Sequence, residues 1–263
     1  MVSPSVPLKR IRDHILRLKN LRTLSITLTG GEPLLHPNIV DIVCYANEMI
    51  KRVGLITNGF MLNPAIIEDL NSAGLGHMQI SIDGIKANKR TQKTLDKLEQ
   101  KLLLLKKAKF AVNINSVIGS TDPSEAIKVI KWANEHGFRS TIGLIHDGKG
   151  QLCMDEKQRR SYLLANRIRR RPFWDVFDFE KTLIRKGCAE FKCRAGSRYL
   201  YVDEHGMVSW CSQTREYGAK RLEEYSLNDQ KEQFYTRKPC ARTCTIGCVR
   251  RASFLDGWRK QNQ

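Results

Sequence analysis

The first 145 residues alternate short apolar runs with segments of helical periodicity, and this alternation limits the fold more than any other feature. Five strands are predicted, at residues 22–29, 53–57, 78–82, 110–117 and 138–145. Five helices are predicted, at residues 8–20, 39–50, 64–73, after the third strand to about 108, and 123–136. Strands separated by helices pair in parallel through right-handed crossovers. The pattern predicts an α/β fold, and we favour a partial (β/α) barrel, with its ligand site at the carboxyl ends of the strands.

The pattern changes near residue 150, where a polar loop and a basic helix replace the alternation. We therefore predict an α/β domain over residues 1–150, a helical linker over 151–187 with its second helix at 173–186, and a cysteine-rich domain over 188–263. Six of the eight cysteines lie in that last part: Cys188, Cys193, Cys211, Cys240, Cys244 and Cys248. Nothing indicates secretion, so a metal or iron–sulfur site is favoured over disulfides.

No apolar run approaches the roughly 20 residues that cross a bilayer. The N-terminal residues 1–10 contain no apolar core of a signal peptide. We therefore expect a cytoplasmic protein without a membrane partner.

The net charge of +18 is compatible with a polyanion-binding surface or with a solvated basic face. We favour the solvated face because no nucleic-acid-binding motif accompanies the charge. RNA binding through residues 159–171 remains an alternative.

Polar motifs follow successive predicted strands. The first strand ends in Thr-Gly-Gly-Glu-Pro at residues 29–33, the second in Thr-Asn-Gly at 57–59, and the third in Ser-Ile-Asp-Gly at 81–84. Glycines let a ligand approach the backbone, and the Glu32 carboxylate accepts hydrogen bonds from a cationic amine. Each motif alone is an ordinary turn or helix cap, but their order along the βα repeat indicates one site. Asn113, Asn115 and Ser116 on the fourth strand are predicted to point into the same cleft.

The motif at residues 30–33 resembles the Gly-Gly-Glu-Pro motif of the radical S-adenosylmethionine (radical SAM) family, and the later motifs agree with that family's pattern. The resemblance implies that Glu32, with the backbone of Gly30 and Gly31, holds the amino group of S-adenosylmethionine. It places Asn58, Ser81 and Asp83 near the sugar or carboxylate. The implied cofactor-binding residues are Gly30, Gly31, Glu32, Pro33, Thr57, Asn58, Ser81, Asp83 and Asn115.

Members of the family carry Cys-x-x-x-Cys-x-x-Cys after the first barrel strand, where three thiolates hold a catalytic [4Fe–4S] cluster. This sequence has no such motif, and its first cysteine, Cys44, lies in a predicted helix where we expect a buried structural thiol. Residues 2–8 resemble the segment that follows the cysteine loop, so we expect a truncated form. The alternative is a non-catalytic homologue that acts as a metal-containing binding module.

The cysteine-rich end resembles the SPASM and twitch extensions of radical SAM enzymes. Cys193 is followed by 12 residues, Gly206, four residues and Cys211. Residues 199–203 and 207–210 are predicted to form a hairpin that brings the two sulfurs together. The candidate ligands of one auxiliary [4Fe–4S] cluster are Cys193, Cys211, Cys240 and either Cys244 or Cys248. A structural zinc site accepts the same thiolates and is the alternative.

The resemblance implies an enzyme that modifies a peptide, a nucleic acid such as RNA, or a small metabolite by hydrogen abstraction, with ferredoxin or flavodoxin as electron donor. The sequence does not distinguish these substrates. None of the six histidines is assigned a catalytic role: His36 lies within the first motif, and His77, His136, His146 and His205 are interpreted as structural.

Overall fold

A parallel five-stranded sheet forms the centre of the first part of the protein. The structure is a computed structural model that describes residues 5–119, 122–144, 152, 154–169, 179–215, 217–254, 256 and 259. The strands are β1 (Ser25–Leu28), β2 (Arg52–Thr57), β3 (His77–Ser81), β4 (Ala111–Ile118) and β5 (Arg139–Leu144). They lie side by side in chain order. Sequential parallel order is the arrangement of a (β/α) barrel, and the predicted α/β class and partial barrel are confirmed.

In the described residues of this part, one helix precedes the sheet, four connect its successive strands, and one follows it. They are α1 (Leu8–Asn20), α2 (Ile39–Met49), α3 (Pro64–Ser72), α4 (Leu95–Leu104) and α5 (Pro123–Glu135), with α6 (Glu156–Ile168) after β5. Local sequence sets several starts. The Asn63 side chain accepts from the Ile66 amide, the Asp155 side chain forms a capping box with Gln158, and proline occupies the first turn of α3 and α5.

The two faces of the sheet differ in polarity. Val53, Leu55, Met78, Ile80 and Ile114 are fully buried on the face that packs against the helices. The residues that alternate with them point to the opposite face and include Gln79, Ser81, Asn113, Asn115 and Thr141. Because a parallel sheet is usually apolar on both faces, this polar face is the candidate ligand-binding face.

Strand alternation corrects the prediction for Ser116. Ser116 is fully buried and follows Asn115 directly, so its side chain lies on the opposite face from Asn113 and Asn115. A strand cannot present two consecutive side chains to one cleft.

The helix predicted to follow the third strand begins later than expected. α4 starts at Leu95, and residues 84–94 form a loop after β3 that includes an isolated bridge between Gly84 and Thr94. The Thr91 hydroxyl and the Lys93 ammonium both contact the Asp83 carboxylate, which holds this segment away from helical geometry.

The chain divides into two compact units, residues 1–145 with 154–175, and residues 146–153 with 176–263. The two helices of the predicted linker therefore belong to different units: α6 to the first, and α7 (Phe179–Lys186) to the second. The start predicted for the second linker helix, residue 173, lies outside the described residues.

The second unit contains the predicted hairpin, formed by β6 (Tyr201–Val202) and β7 (Met207–Ser209). Its turn is fixed by Asp203, whose side chain accepts from the amides of His205 and Met207. Three further elements were not predicted: β8 (Lys220–Arg221), α8 (Leu227–Tyr235) and α9 (Gly247–Phe254).

Arg194 organises the interior of this second unit. Its buried guanidinium donates to the carbonyl oxygens of Phe234, Asp256 and Arg259, and it lies 4.0 Å from the centroid of the Phe234 ring. One side chain thereby joins the segment after Cys193 to the C-terminal segments.

None of the described helices has the length and apolar character needed to cross a membrane.

Candidate functional site

Glu32 connects the first two strand-end motifs. Its Oε1 accepts from the Thr57 hydroxyl at 2.6 Å and from the Leu34 amide at 3.0 Å, and its Oε2 accepts from the Asn58 amide at 2.7 Å. The Thr57 hydroxyl oxygen in turn accepts from the Gly59 amide at 3.0 Å. A carboxylate offers about four lone-pair positions, so Glu32 retains acceptor capacity for one further donor.

Open space lies beside the glycines of the same loop. A Cβ atom added at Gly30 or at Gly31 meets no heavy atom within 4 Å, and both residues are exposed. Pro33 begins the short 3-10 helix that follows, at Pro33–Leu35. A ligand can therefore approach the backbone here without displacing protein atoms.

His36 fixes the end of this loop to the N-terminal segment. Its Nδ1 accepts from the Asn38 amide at 3.1 Å, which requires the neutral ring to carry its proton on Nε2. Nε2 lies 2.8 Å from the Val6 carbonyl oxygen and donates to it. His36 thus has a structural role in holding the loop.

A row of polar side chains crosses the open face of the sheet. Ser81 pairs in register with Asn115, which pairs with Thr141. Asn113 Nδ2 donates to Thr141 Oγ1 at 2.8 Å, and Thr141 Oγ1 donates to Asn115 Oδ1 at 2.9 Å. Thr141 was not predicted as a site residue. The strand period of two places it on the same face of the sheet as its neighbours in register, Asn115 among them.

Asp83 is turned toward the loop that follows β3. Its buried carboxylate accepts from the Thr91 hydroxyl at 2.8 Å and pairs with Lys93 Nζ at 3.1 Å, and its amide donates to the Lys93 carbonyl at 2.7 Å. Direct contact between Asp83 and a cofactor stays a prediction, since Thr91 and Lys93, which contact this carboxylate, belong to the loop that follows β3.

The cysteines of the second unit are neighbours around one buried cluster. Cys193 and Cys211 pack with Ala241 and Val249. Burial, together with the nearby Cys240 and Cys211 thiols, raises the pKa of Cys193 to about 11. Burial likewise raises the pKa of Cys244 to about 12, with Cys193 and Cys211 close by.

Tyr199 lies beside Cys248, which is the fifth predicted ligand. Burial and a side-chain hydrogen bond with Cys248 raise the pKa of Tyr199 above its usual range. No sequence signal identified Tyr199. Of the five predicted ligands, Cys193 and Cys211 share one buried cluster, Cys240 and Cys244 are partly buried, and Cys248 is exposed. Thiols are suitable donors for iron–sulfur clusters and for zinc.

Two further described cysteines are not among the predicted ligands. The described cysteines form no disulfide. Cys188 Sγ lies 3.9 Å from Arg242 Nη2. Cys44 is exposed, which makes the prediction of a buried thiol wrong, because Ile42, Val43 and Ala46 occupy the buried face of α2.

Within the described part of the chain, no three His, Cys, Asp or Glu side chains converge on a point that could hold a single metal ion.

The first two strand-end motifs meet through Glu32, and the polar face lies on the same unit. A family model described as the radical SAM superfamily matches residues 2–151. The chain belongs to the radical SAM superfamily. The family assigned from the Gly-Gly-Glu-Pro motif is confirmed.

Curated relatives share part of this radical SAM chain. The AdoMet-dependent heme synthase of Methanosarcina barkeri is 34% identical over 121 residues, which cover 43% of this chain and 34% of that protein. The GTP 3',8-cyclase of Helicobacter pylori is 32% identical over 123 residues, which cover 42% and 37%. The PqqA peptide cyclase of Ruegeria pomeroyi is 39% identical over 64 residues, which cover 24% and 17%. The match thus spans about a third or less of the length of these relatives.

Two solved structures share the fold over most of the chain. SuiB from Streptococcus suis, bound to its precursor peptide SuiA, superposes with a TM-score of 0.65 at 14% identity, over 88% of this chain and 59% of that one. anSMEcpe with bound AdoMet and a peptide gives a TM-score of 0.59 at 17% identity, over 89% and 77%. These likenesses support the partial barrel.

Proposed function

We propose that this chain is the S-adenosylmethionine-binding and auxiliary-cluster part of a radical SAM enzyme that modifies a peptide by hydrogen abstraction. The observation that carries the proposal is the bridge made by Glu32 between the Gly-Gly-Glu-Pro loop and the Thr-Asn-Gly turn. This bridge fixes both loops at the end of the sheet where parallel α/β folds bind ligands.

The residues present fit S-adenosylmethionine. Gly30 and Gly31 leave room for its amino group at the backbone, and Glu32 supplies the negative charge that balances the ammonium. Thr57 and Asn58 position the Glu32 carboxylate, while Ser81 and Asn115 offer hydroxyl and amide groups to its polar parts. When bound, the cofactor together with a reduced [4Fe–4S] cluster supplies the hydrogen-abstracting radical.

The thiols of the second unit fit an auxiliary iron–sulfur cluster. We propose that Cys193, Cys211 and Cys240, with Cys244 or Cys248, hold one [4Fe–4S] cluster that transfers electrons or positions substrate. Cys193 and Cys211 pack in one buried cluster, and the Cys240 and Cys244 thiols influence the pKa of this group or are influenced by it, which supports the assignment. Zinc at the same residues is the competing assignment.

A peptide is the preferred substrate class because two of the structural relatives were solved with peptides and one curated relative is a peptide cyclase. RNA and small metabolites are the other substrate classes considered. We place the protein in the cytoplasm, since reduced thiols persist in that compartment. A ferredoxin or flavodoxin would supply the electron there.

The enzyme proposal is separated from a binding module by sequencing the DNA upstream of Met1. The 263 residues contain no Cys-x-x-x-Cys-x-x-Cys motif. An in-frame copy of this motif upstream supports the enzyme, whereas an upstream stop codon supports a non-catalytic, metal-containing binding module.

A further inference from the structure

A basic pocket lies beside the loop that follows β3, and none of the proposed cofactor contacts lines it. Its volume is about 660 Å³. It is lined by Ile85, Lys86, Ala87, Asn88, Lys89, Arg90, Asp122, Glu125 and Lys128. The lining segments follow β3 and β4, so the pocket opens at the carboxyl-end rim of the sheet, where substrates approach such folds.

Hydrogen bonds within the protein fix the loop that forms one wall. Asn88 Oδ1 accepts from the amides of Arg90 and Thr91, and the Asn88 amide donates to the Thr91 carbonyl. The Ile85 amide donates to Glu125 Oε2 at 2.8 Å, which ties the start of the loop to α5. The wall is therefore organised before any ligand binds.

The acidic residues of the pocket already have cationic partners. Glu125 Oε1 pairs with Lys128 Nζ at 2.7 Å, and Asp122 Oδ2 pairs with Lys157 Nζ at 2.6 Å. Both carboxylates are thus compensated by neighbouring lysines.

Three cations remain without such compensation. Lys86, Lys89 and Arg90 are exposed around the pocket, and no described residue supplies an acceptor to any of their side chains. Four cations and two carboxylates line the pocket, which leaves an excess of two positive charges that attracts anionic groups to this rim.

We propose that this pocket binds an acidic segment of a peptide, with adjacent Asp or Glu side chains pairing with Lys86, Lys89 and Arg90. Only the identification of that peptide as the substrate rests on the proposed function. The three cations are spread along an exposed loop, which suits several separate carboxylates better than one compact ligand.

The lining argues against a nucleotide in this pocket. Ile85 and Ala87 are its apolar residues, and the lining contains no aromatic side chain on which a base could stack. Seven of the nine lining residues are charged or carry an amide side chain, which suits a segment with several carboxylates.

The proposal is tested with a fluorescein-labelled hexaglutamate peptide, whose binding to the 263-residue chain is measured by fluorescence anisotropy at 50 mM NaCl. The test variant carries Lys86→Gln, Lys89→Gln and Arg90→Gln. The matched control carries Lys106→Gln, Lys107→Gln and Lys109→Gln. These substitutions remove the same charge from exposed lysines that precede β4, at the amino ends of the strands and so opposite the pocket.

We expect the test variant to bind about tenfold more weakly than the unmodified chain, because each exposed ion pair contributes a modest share. The control should stay within about twofold, as distant charges are screened. Equal weakening in both variants would show a general charge effect and overturn the proposal, as would no weakening in either. Tighter binding of ATP than of hexaglutamate at this pocket would also overturn it.

This test is independent of the proposed enzyme activity, because it uses neither S-adenosylmethionine nor iron. Failure to bind S-adenosylmethionine leaves the pocket assignment standing, and loss of the pocket assignment leaves the cofactor site standing. Both variants should keep the circular dichroism spectrum of the unmodified chain, since all six substituted side chains are exposed.

Discussion

Single residues show how one side chain can serve both the fold and the proposed site. The sequence pattern identified Glu32 as an acceptor for a cationic amine, but it did not reveal the three protein donors that Glu32 already has. Two of these donors are 25 and 26 residues away in the chain. Such contacts depend on tertiary structure and cannot be read from a local motif.

Glu32→Ala should lower the free energy of unfolding by about 1–3 kcal/mol, because the Thr57 hydroxyl and the Asn58 and Leu34 amides lose their acceptor. Urea denaturation measures this change. Glu48→Ala, at an exposed position of α2, is the control and should change stability by less than about 0.5 kcal/mol. If Glu32→Ala matched this control, the bridge would contribute nothing to folding.

Gly31→Ala separates ligand binding from folding. The added methyl group meets open space, so thermal unfolding should be unchanged. In a form that carries the cluster loop, the same methyl group should weaken S-adenosylmethionine binding at least tenfold, measured by equilibrium dialysis, since it occupies the space proposed for the amino group. Unaltered affinity would place the cofactor elsewhere.

Gly54→Ala is the opposite case at a buried position. A Cβ atom at residue 54 would lie 1.9 Å from His77 Cε1, so this variant should lose stability through steric overlap in the sheet. Comparison with Gly31→Ala therefore distinguishes a glycine needed for packing from one proposed to admit a ligand.

At the scale of elements, sequence periodicity predicted the strands and helices of the first unit within a few residues. It failed between β3 and α4 because the contacts that hold residues 84–94 as a loop involve side chains, not apolar spacing. It also missed β8, α8 and α9, since the second unit is held together by buried polar contacts such as those of Arg194.

Asp83→Asn should loosen the loop after β3. The substitution removes the charge that Lys93 pairs with inside a buried setting, and we expect a loss of about 1–3 kcal/mol in stability. Hydrogen exchange followed by mass spectrometry should show faster exchange of the amides in residues 84–94 while β2 and β4 keep their protection. If the amides of residues 84–94 exchanged as slowly in the variant as in the unmodified chain, contacts other than those of Asp83 would hold the loop.

For the whole molecule, the family, the partial barrel and the cysteine neighbourhood were predictable because each rests on a motif or period in the sequence. The polar face needed the register between strands, and the region around Cys193 needed the folding of the second unit. Whether those thiols hold an iron–sulfur cluster, as we propose, or zinc depends on chemistry that spacing alone does not distinguish.

Anaerobic reconstitution of the chain should yield iron and sulfide that depend on Cys193 and Cys211. Cys193→Ala or Cys211→Ala should remove most of this iron, because a cluster that loses a thiolate is poorly held. Cys44→Ala is the control and should retain it, since Cys44 lies on an exposed surface of α2. Stoichiometric zinc without iron would support the structural zinc site instead.

If the first unit holds S-adenosylmethionine for radical chemistry, as we propose, the enzyme should form 5′-deoxyadenosine. For this test, the Cys-x-x-x-Cys-x-x-Cys loop is restored at the N-terminal side of the chain. This extended form is reconstituted with iron and sulfide and reduced with dithionite, and the product is measured by liquid chromatography and mass spectrometry. We predict 5′-deoxyadenosine from this form and at least tenfold less from its Glu32→Ala variant. Fully loaded protein that releases no 5′-deoxyadenosine would contradict the proposed enzyme and favour a binding module.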